Sequence, residues 1–129
     1  MTLGDTDRER IMTAIGEAEK GSRGEVRVHV EEKCPGDASE RAQHYFGQLG
    51  MHRTQDDTGV LLYISPGSRK VAVYAGAGIY QPAGHALWGG AVKAVAAGFK
   101  NDSGIDGIEA ALKVIGEALR KYAPGEDIA

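Results

Sequence analysis

Residues 51–79 read MHRTQDDTGVLLYISPGSRKVAVYAGAGI, and the strongest indications of the chain's architecture lie here. Residues 59–64 are apolar throughout, which predicts a strand buried on both faces. Pro66-Gly67-Ser68 then predicts a turn into a second strand. Because a short turn makes two strands antiparallel, residues 54–58 and 76–79 must meet at one edge of the sheet. We call these two segments the edge loops, and we expect functional residues there, since a rigid scaffold commonly positions a site on its loops.

The chain before this hairpin combines helical and strand patterns. An amphipathic helix follows a capping box, Thr6-x-x-Glu9, in which each side chain satisfies a backbone N–H of the other residue. Residues 25–31 alternate between apolar and polar, which predicts a strand that packs on one face. A second helix begins at Asp37 or Ala38 and ends near Gly50. Strand, helix and strand then form a right-handed crossover between parallel strands.

Helical patterns return after the hairpin. From Pro82 onward a broad apolar face repeats with period 3.6, and Trp88 is its largest residue. Ser103 is a candidate start for the last helix, which Pro124-Gly125 ends. These elements predict an α/β fold, a three-layer α/β/α sandwich whose mixed central sheet of about four strands has helices on both faces. The 129 residues make a single domain, residues 1–129, because a chain of this length buries roughly two-thirds of its unfolded surface.

Composition excludes several classes of function. A net charge of −3 with interspersed signs gives no attraction to nucleic acid or to an anionic membrane surface. The charged residues near the start do not fit a secretory signal, and no run reaches the ~18 apolar residues of a membrane span. The one cysteine, Cys34, cannot form an internal disulfide. We expect a cytoplasmic protein as the sequence stands, or an envelope protein if a leader or anchor belongs to it.

Motifs along most of the chain resemble those of a known family. In this chain the pattern is Gly-Glu-Val-Arg-Val, where the family typically has Gly-Glu-Ile-Arg-Val, then a Cys, an Arg-Ala helix, a Gly-Val-Leu strand, Gly-Ile, a Trp and a late Phe. The residues that carry it are 24–28, Cys34, Arg41-Ala42, Phe46, Leu49, Met51, Thr54, 59–63, Gly78-Ile79, Trp88 and Phe99. They resemble the TPM domains, named for a thylakoid lumenal phosphatase, a photosystem II repair factor and a modulator of a nematode receptor. The resemblance spans nearly the whole chain and implies a shared fold.

The chain departs from the family pattern within the edge loops. The family has an Asp before x-Gly-Ile, where this chain has Gly76, and it has Arg-Asn before Gly-Val-Leu, where this chain has Asp57-Thr58. An acid is therefore lost at position 76 and gained at position 57. Either the ligand has moved across the loop, or the site is lost while the fold persists.

Asp56 and Asp57 are candidate ligands for Ca²⁺ or Mg²⁺, because both ions prefer carboxylate oxygens. Two carboxylates are too few for calcium, so Glu25, Thr54 and Thr58 would have to contribute. Backbone carbonyls of Gly76, Ala77 and Gly78, together with water, would complete the shell. The alternative is a solvated turn capped by acids. His52 and Arg53 are the candidate catalytic residues, which contact a bound phosphate in one interpretation and are surface residues in the other.

Other chemistries find little support. Gly76-Ala77-Gly78 is not a dinucleotide fingerprint, because position 81 is Gln81 where a third glycine is needed, so we predict no nucleotide cofactor. The glycines more simply allow a close backbone approach. The four histidines lack the spacing of a zinc site. Ser65 and Ser68 lie in a turn without a paired base, and Cys34 fits a small buried residue.

Two functions follow from these residues and from the resemblance. The first is a binding module whose edge loops hold a divalent cation, or a protein partner's peptide or phosphate, in the assembly or repair role that the family's photosystem and receptor members imply. The alternative, implied by the thylakoid phosphatase, is a metal-assisted acid phosphatase that uses Asp56 and Asp57 as ligands. We prefer the first, because a phosphatase requires closely positioned groups and the family's acid at position 76 is absent.

Overall fold

The computed structural model describes residues 4–53 and 56–125, and within them it contains five α-helices and three β-strands. The strands are β1 (Glu25–Val30), β2 (Gly59–Ser65) and β3 (Lys70–Ala75). The helices are α1 (Asp5–Glu19), α2 (Ala38–Gln48), α3 (Ala77–Ala83), α4 (His85–Lys100) and α5 (Gly104–Tyr122). A short 3₁₀ turn, Met51–Arg53, follows α2.

The sheet has the order β1-β2-β3, with β2 in the centre. Strand β1 is parallel to β2, with Glu25 opposite Gly59, and β3 is antiparallel to β2, with Ala75 opposite Val60. This confirms the predicted hairpin and the predicted parallel pairing of β1 with β2, and β2 is buried along its whole length. The described residues form three strands, whereas about four were predicted, because the apolar residues outside these strands repeat at helical spacing.

Helices cover both faces of the sheet, so the predicted three layers are present. Val60, Leu62 and Ile64 point toward α1, α4 and α5 and belong to the larger core, which also contains Trp88 and Leu112. On the opposite face Leu61 and Tyr63 lie in two smaller clusters beneath α2. Side chains of β2 point alternately to the two faces of the sheet, and both faces are covered. This explains why every residue of the strand is buried.

Two helix starts differ from the prediction. Helix α1 begins at Asp5 with Gly4 as its N-cap, so Thr6 and Glu9 lie inside the helix and do not form the predicted capping box. Asp5 and Asp7 stand in its first turn, where the positive end of the helix dipole favours acids. The helix expected from Pro82 is divided, since α3 contains Pro82 and α4 begins only after Gly84, whose φ is 89°.

None of the helices in the two described ranges is long and apolar enough to cross a membrane.

Candidate functional site

The hairpin brings the described parts of the edge loops together. The backbone N–H of Gly78 donates to the carbonyl of Asp57 at 3.0 Å, and the N–H of Gly76 donates to the carbonyl of Gly59 at 2.9 Å. The N–H of Ala77 donates to Oδ2 of Asp57 at 2.9 Å. Asp57 therefore joins the loops through its backbone and its side chain, at the start of α3.

Glycine is required where the loops meet. A Cβ atom on Gly76 would overlap the carbonyl oxygen and the carboxylate of Asp57, and one on Gly78 would overlap the carbonyl oxygen of Asp56. The predicted close backbone approach is thus observed. An aspartate at position 76, as in the family pattern, does not fit against this Asp57. Asp57 instead places a carboxylate at the first turn of α3 from the opposite loop.

Asp56 is held by an arginine from outside the edge loops. Nη1 of Arg23 lies 2.6 Å from Oδ2 of Asp56, and the two side chains are 49% and 44% exposed. Arg23 is fixed through its backbone, because its N–H donates to the carbonyl of Ala123 at 2.9 Å and its carbonyl accepts from Oγ1 of Thr58 at 3.3 Å. Asp56 is therefore neutralised within the chain but remains accessible to solvent.

The other predicted site residues lie near this edge without completing a metal shell. Glu25 begins β1 opposite Gly59, and its carboxylate pairs with Arg27 at 3.2 Å. His52 and Arg53 are exposed on the 3₁₀ turn. Thr54 lies outside the described residues. Across residues 4–53 and 56–125, no three or more His, Cys, Asp or Glu side chains lie close enough together to hold a metal ion.

A polar cluster beneath α2 was not predicted from the sequence. Nη2 of Arg41 lies 2.6 Å from Oε1 of Glu31, and the hydroxyl of Tyr45 donates to the same oxygen at 2.8 Å. The hydroxyl of Tyr63 donates to Oε2 of Glu31. The ring of His29 stacks on Tyr45 with centroids 3.7 Å apart. The available sequence signal was the i, i+4 spacing of Arg41 and Tyr45, but the crossover had to be folded before either could meet Glu31.

Contacts and burial within the cluster shift the pKa values of several of its members. The hydrogen bond from Arg41, followed by that from Tyr63, lowers the pKa of the Glu31 carboxyl from 4.5 to about 2. Burial raises the pKa of the Tyr63 hydroxyl, and burial lowers the pKa of the His29 imidazole. The cluster thus consists of a carboxylate, a guanidinium and two tyrosine hydroxyls that are hydrogen-bonded to each other, with the His29 ring stacked on Tyr45. This arrangement indicates a role in fastening α2 to the sheet.

Glu31→Gln is expected to lower the melting temperature at neutral pH, because the amide cannot replace a carboxylate bound by Arg41. The pKa of Glu31 is lower in the folded chain, so its contribution is complete above pH 4.5 and is lost as the pH falls toward about 2. The difference in melting temperature between wild type and variant should therefore shrink over this interval. Thermal denaturation at several pH values measures it, with Glu117→Gln, at an exposed position of α5, as the control. A difference that grows on acidification would contradict this role.

Comparisons with known proteins agree with the architecture. The family model described as TPM domain matches residues 1–118. The NMR structure of the BA42 protein from the psychrophilic bacterium Bizionia argentinensis is 31% identical, with a TM-score of 0.88, over 99% of this chain and 90% of that one. The N-terminal domain of cg2496 from Corynebacterium glutamicum is 13% identical, with a TM-score of 0.73, over 99% of this chain and 81% of that one, and shows the fold alone. No curated protein matches the chain.

Proposed function

We propose that this chain, which belongs to the TPM domain family, is a binding module in an assembly or repair role, whose edge loops take up Ca²⁺ or Mg²⁺, or else a protein partner. The observation that carries the proposal is the pair of adjacent carboxylates, Asp56 and Asp57, each already oriented by a group from another element. Both cations take carboxylate oxygens as ligands, and Mg²⁺ is often held by one or two carboxylates and water.

The cation would replace Arg23 as the counter-ion of Asp56. An exposed ion pair of this kind contributes roughly 0–1 kcal/mol, so displacing the guanidinium costs little. Oδ1 of Asp57, beside the oxygen that accepts from Ala77, would be the second carboxylate ligand, and water would fill the remaining positions. With so few protein ligands, we expect a dissociation constant of about 0.1–1 mM, the range of weak calcium modules.

The alternative, a metal-assisted acid phosphatase, receives less support. His52 and Arg53 lie on the 3₁₀ turn that precedes the edge loop, where they could contact a phosphate. Both side chains are exposed, however, as they would also be if they were ordinary surface residues. The two serine hydroxyls of the hairpin are engaged with backbone groups, since Oγ of Ser65 donates to the carbonyl of Glu32 and Oγ of Ser68 accepts from the N–H of Cys34. The binding module is therefore our conclusion.

Titration with Ca²⁺ and then Mg²⁺ tests this function through the backbone amide NMR signals. We expect signals of residues 56–58 and 75–80 to shift, and Asp57→Asn to remove the shift while the fold is kept, because asparagine retains an oxygen for the Ala77 N–H. Asp102→Asn is the matched control, since Asp57 and Asp102 have φ angles of 52° and 59° and asparagine tolerates this region. If neither ion moves the edge-loop signals of the wild type, the cation-binding function is wrong.

A further inference from the structure

A groove lies at the opposite end of the hairpin from the edge loops. It has a volume of about 570 Å³ and separates the β2–β3 turn from the corner between α4 and α5. Pockets that hold small molecules span roughly 300–1,000 Å³. The groove is therefore large enough for a ligand with a single ring.

The lining of the groove combines apolar and positively charged side chains. Val71 of β3 and Phe99 of α4 are half-buried apolar residues of the lining. Arg69 stands on the turn and Lys100 at the end of α4, and both are exposed. Among the described residues, neither of these cations forms an ion pair. The two positive charges thus line the cleft without an ion-pair partner among the described residues.

The remaining charges around the groove are few. Asp102 lines the α4–α5 corner and is its one carboxylate within the described residues. Lys70 also lines the groove, but its Nζ donates to the carbonyl of Gly36 at 2.7 Å. Glu32 lies against Gly67 of the turn without lining the groove. The groove therefore carries a net positive charge.

Arg69 occupies a position of the turn at which glycine would be more usual than arginine. Its N–H donates to the carbonyl of Pro66 at 3.2 Å, and its φ is 54°. This left-handed position closes a hairpin loop most easily with glycine, because any Cβ there is crowded by the backbone. The Arg69 side chain is therefore not needed to close the turn, whereas it places a guanidinium beside the groove.

We infer that this groove binds a small organic anion, in which a carboxylate or phosphate-type group is joined to a flat apolar body. Arg69 and Lys100 hold the anionic group from two walls, and Phe99 and Val71 contact the body. Guanidinium and ammonium groups form charge-assisted hydrogen bonds with such oxygens. This ligand is separate from the cation of the edge loops, and its residues are separate as well.

Phenylphosphonate is the probe, because it contains both parts of the ligand and no ester bond to hydrolyse. Added to the full chain, it should shift amide NMR signals of residues 66–71 and 99–104 and leave those of residues 56–58 in place. Arg69→Gly and Lys100→Gln should each weaken binding about tenfold, the loss of one charge-assisted contact. Arg69→Gly should also keep or raise the melting temperature, which separates lost binding from lost folding.

Lys93→Gln is the matched control, since Lys93 is exposed on the same helix as Lys100 but lies outside the groove lining. It should bind as the wild type does. If Lys93→Gln weakened binding of phenylphosphonate as much as Lys100→Gln does, the effect would be general electrostatic attraction, and the inference would be overturned. Unmoved groove signals would overturn it too, as would wild-type affinity in Arg69→Gly. Inorganic phosphate and benzyl alcohol should each bind more weakly than phenylphosphonate, and equal affinity for either would refute the two-part ligand.

Discussion

Trp88→Ala is expected to lower the free energy of unfolding by about 3–5 kcal/mol, the range for removing a large buried aromatic side chain. Trp88 is 3% exposed and lies in the larger core. Its Nε1–H donates to the carbonyl of Tyr80 at 2.9 Å, and the two rings stack with centroids 6.0 Å apart. The ring therefore fills the core and ties α3 to α4. Denaturant unfolding of the wild type and variant measures the loss.

Trp88→Phe separates these two contributions. Phenylalanine keeps an aromatic ring in the core but removes the donor to Tyr80, so the loss should be clearly smaller than for alanine. The net contribution of one hydrogen bond to stability is about 0.5–1.5 kcal/mol, and the packing lost with the smaller ring adds to this loss. If Trp88→Ala changed the free energy of unfolding by under about 1 kcal/mol, the side chain would not be part of the core as described.

Gly107→Ala is expected to lower the free energy of unfolding by about 1–3 kcal/mol, as overpacking of a tight contact does. A Cβ atom on Gly107 would lie 2.7 Å from the carbonyl oxygen of Ala94 and 2.9 Å from Cα of Gly98. Helices α4 and α5 touch through their backbones at this point, so the added methyl group must push them apart. The loss runs against intrinsic propensity, because alanine in a helix interior is favoured over glycine by about 1 kcal/mol.

Gly90→Ala gives the opposite sign and serves as the control. Gly90 lies within α4, and a Cβ atom there would meet no atom within 4 Å. Propensity alone then acts, and we expect a gain of up to about 1 kcal/mol in denaturant unfolding. If both alanine variants were more stable than the wild type, the two helices would not be in backbone contact at Gly107.

Much of the fold could be predicted from the sequence, because the local signals there were strong. The uninterrupted apolar run of β2 and the turn at Pro66-Gly67 were sufficient for the hairpin, which in turn placed the edge loops side by side. The start of α1 and the presence of α3 could not be predicted as securely. Thr6 forms a reasonable capping motif, but acids in the first turn let the helix begin earlier. Gly76 and Gly78 suggested a loop, yet Gly76 is the N-cap of α3.

The candidate site could be predicted only in outline. Sequence patterns placed Asp57 near Gly76, but not the fact that its carboxylate accepts from Ala77 or that Arg23 pairs with Asp56. Arg23 is 33 positions from Asp56, and its approach depends on backbone contacts with Ala123. The cluster around Glu31 was missed for a similar reason, since Arg41 and Tyr63 meet Glu31 only in the folded crossover, which leaves no periodic signal in the sequence.

The unequal layers of the domain have a consequence for its native-state dynamics. The larger core is shared by several helices, whereas α2, with 11 residues, is the main cover of the opposite face. A layer with fewer apolar contacts opens at a lower free energy than the whole domain, so amide hydrogens of α2 should exchange with solvent before those of α5. Cys34 is 9% exposed and belongs to this thinner layer. The rate at which a thiol reagent labels Cys34 therefore measures how often α2 separates from the sheet.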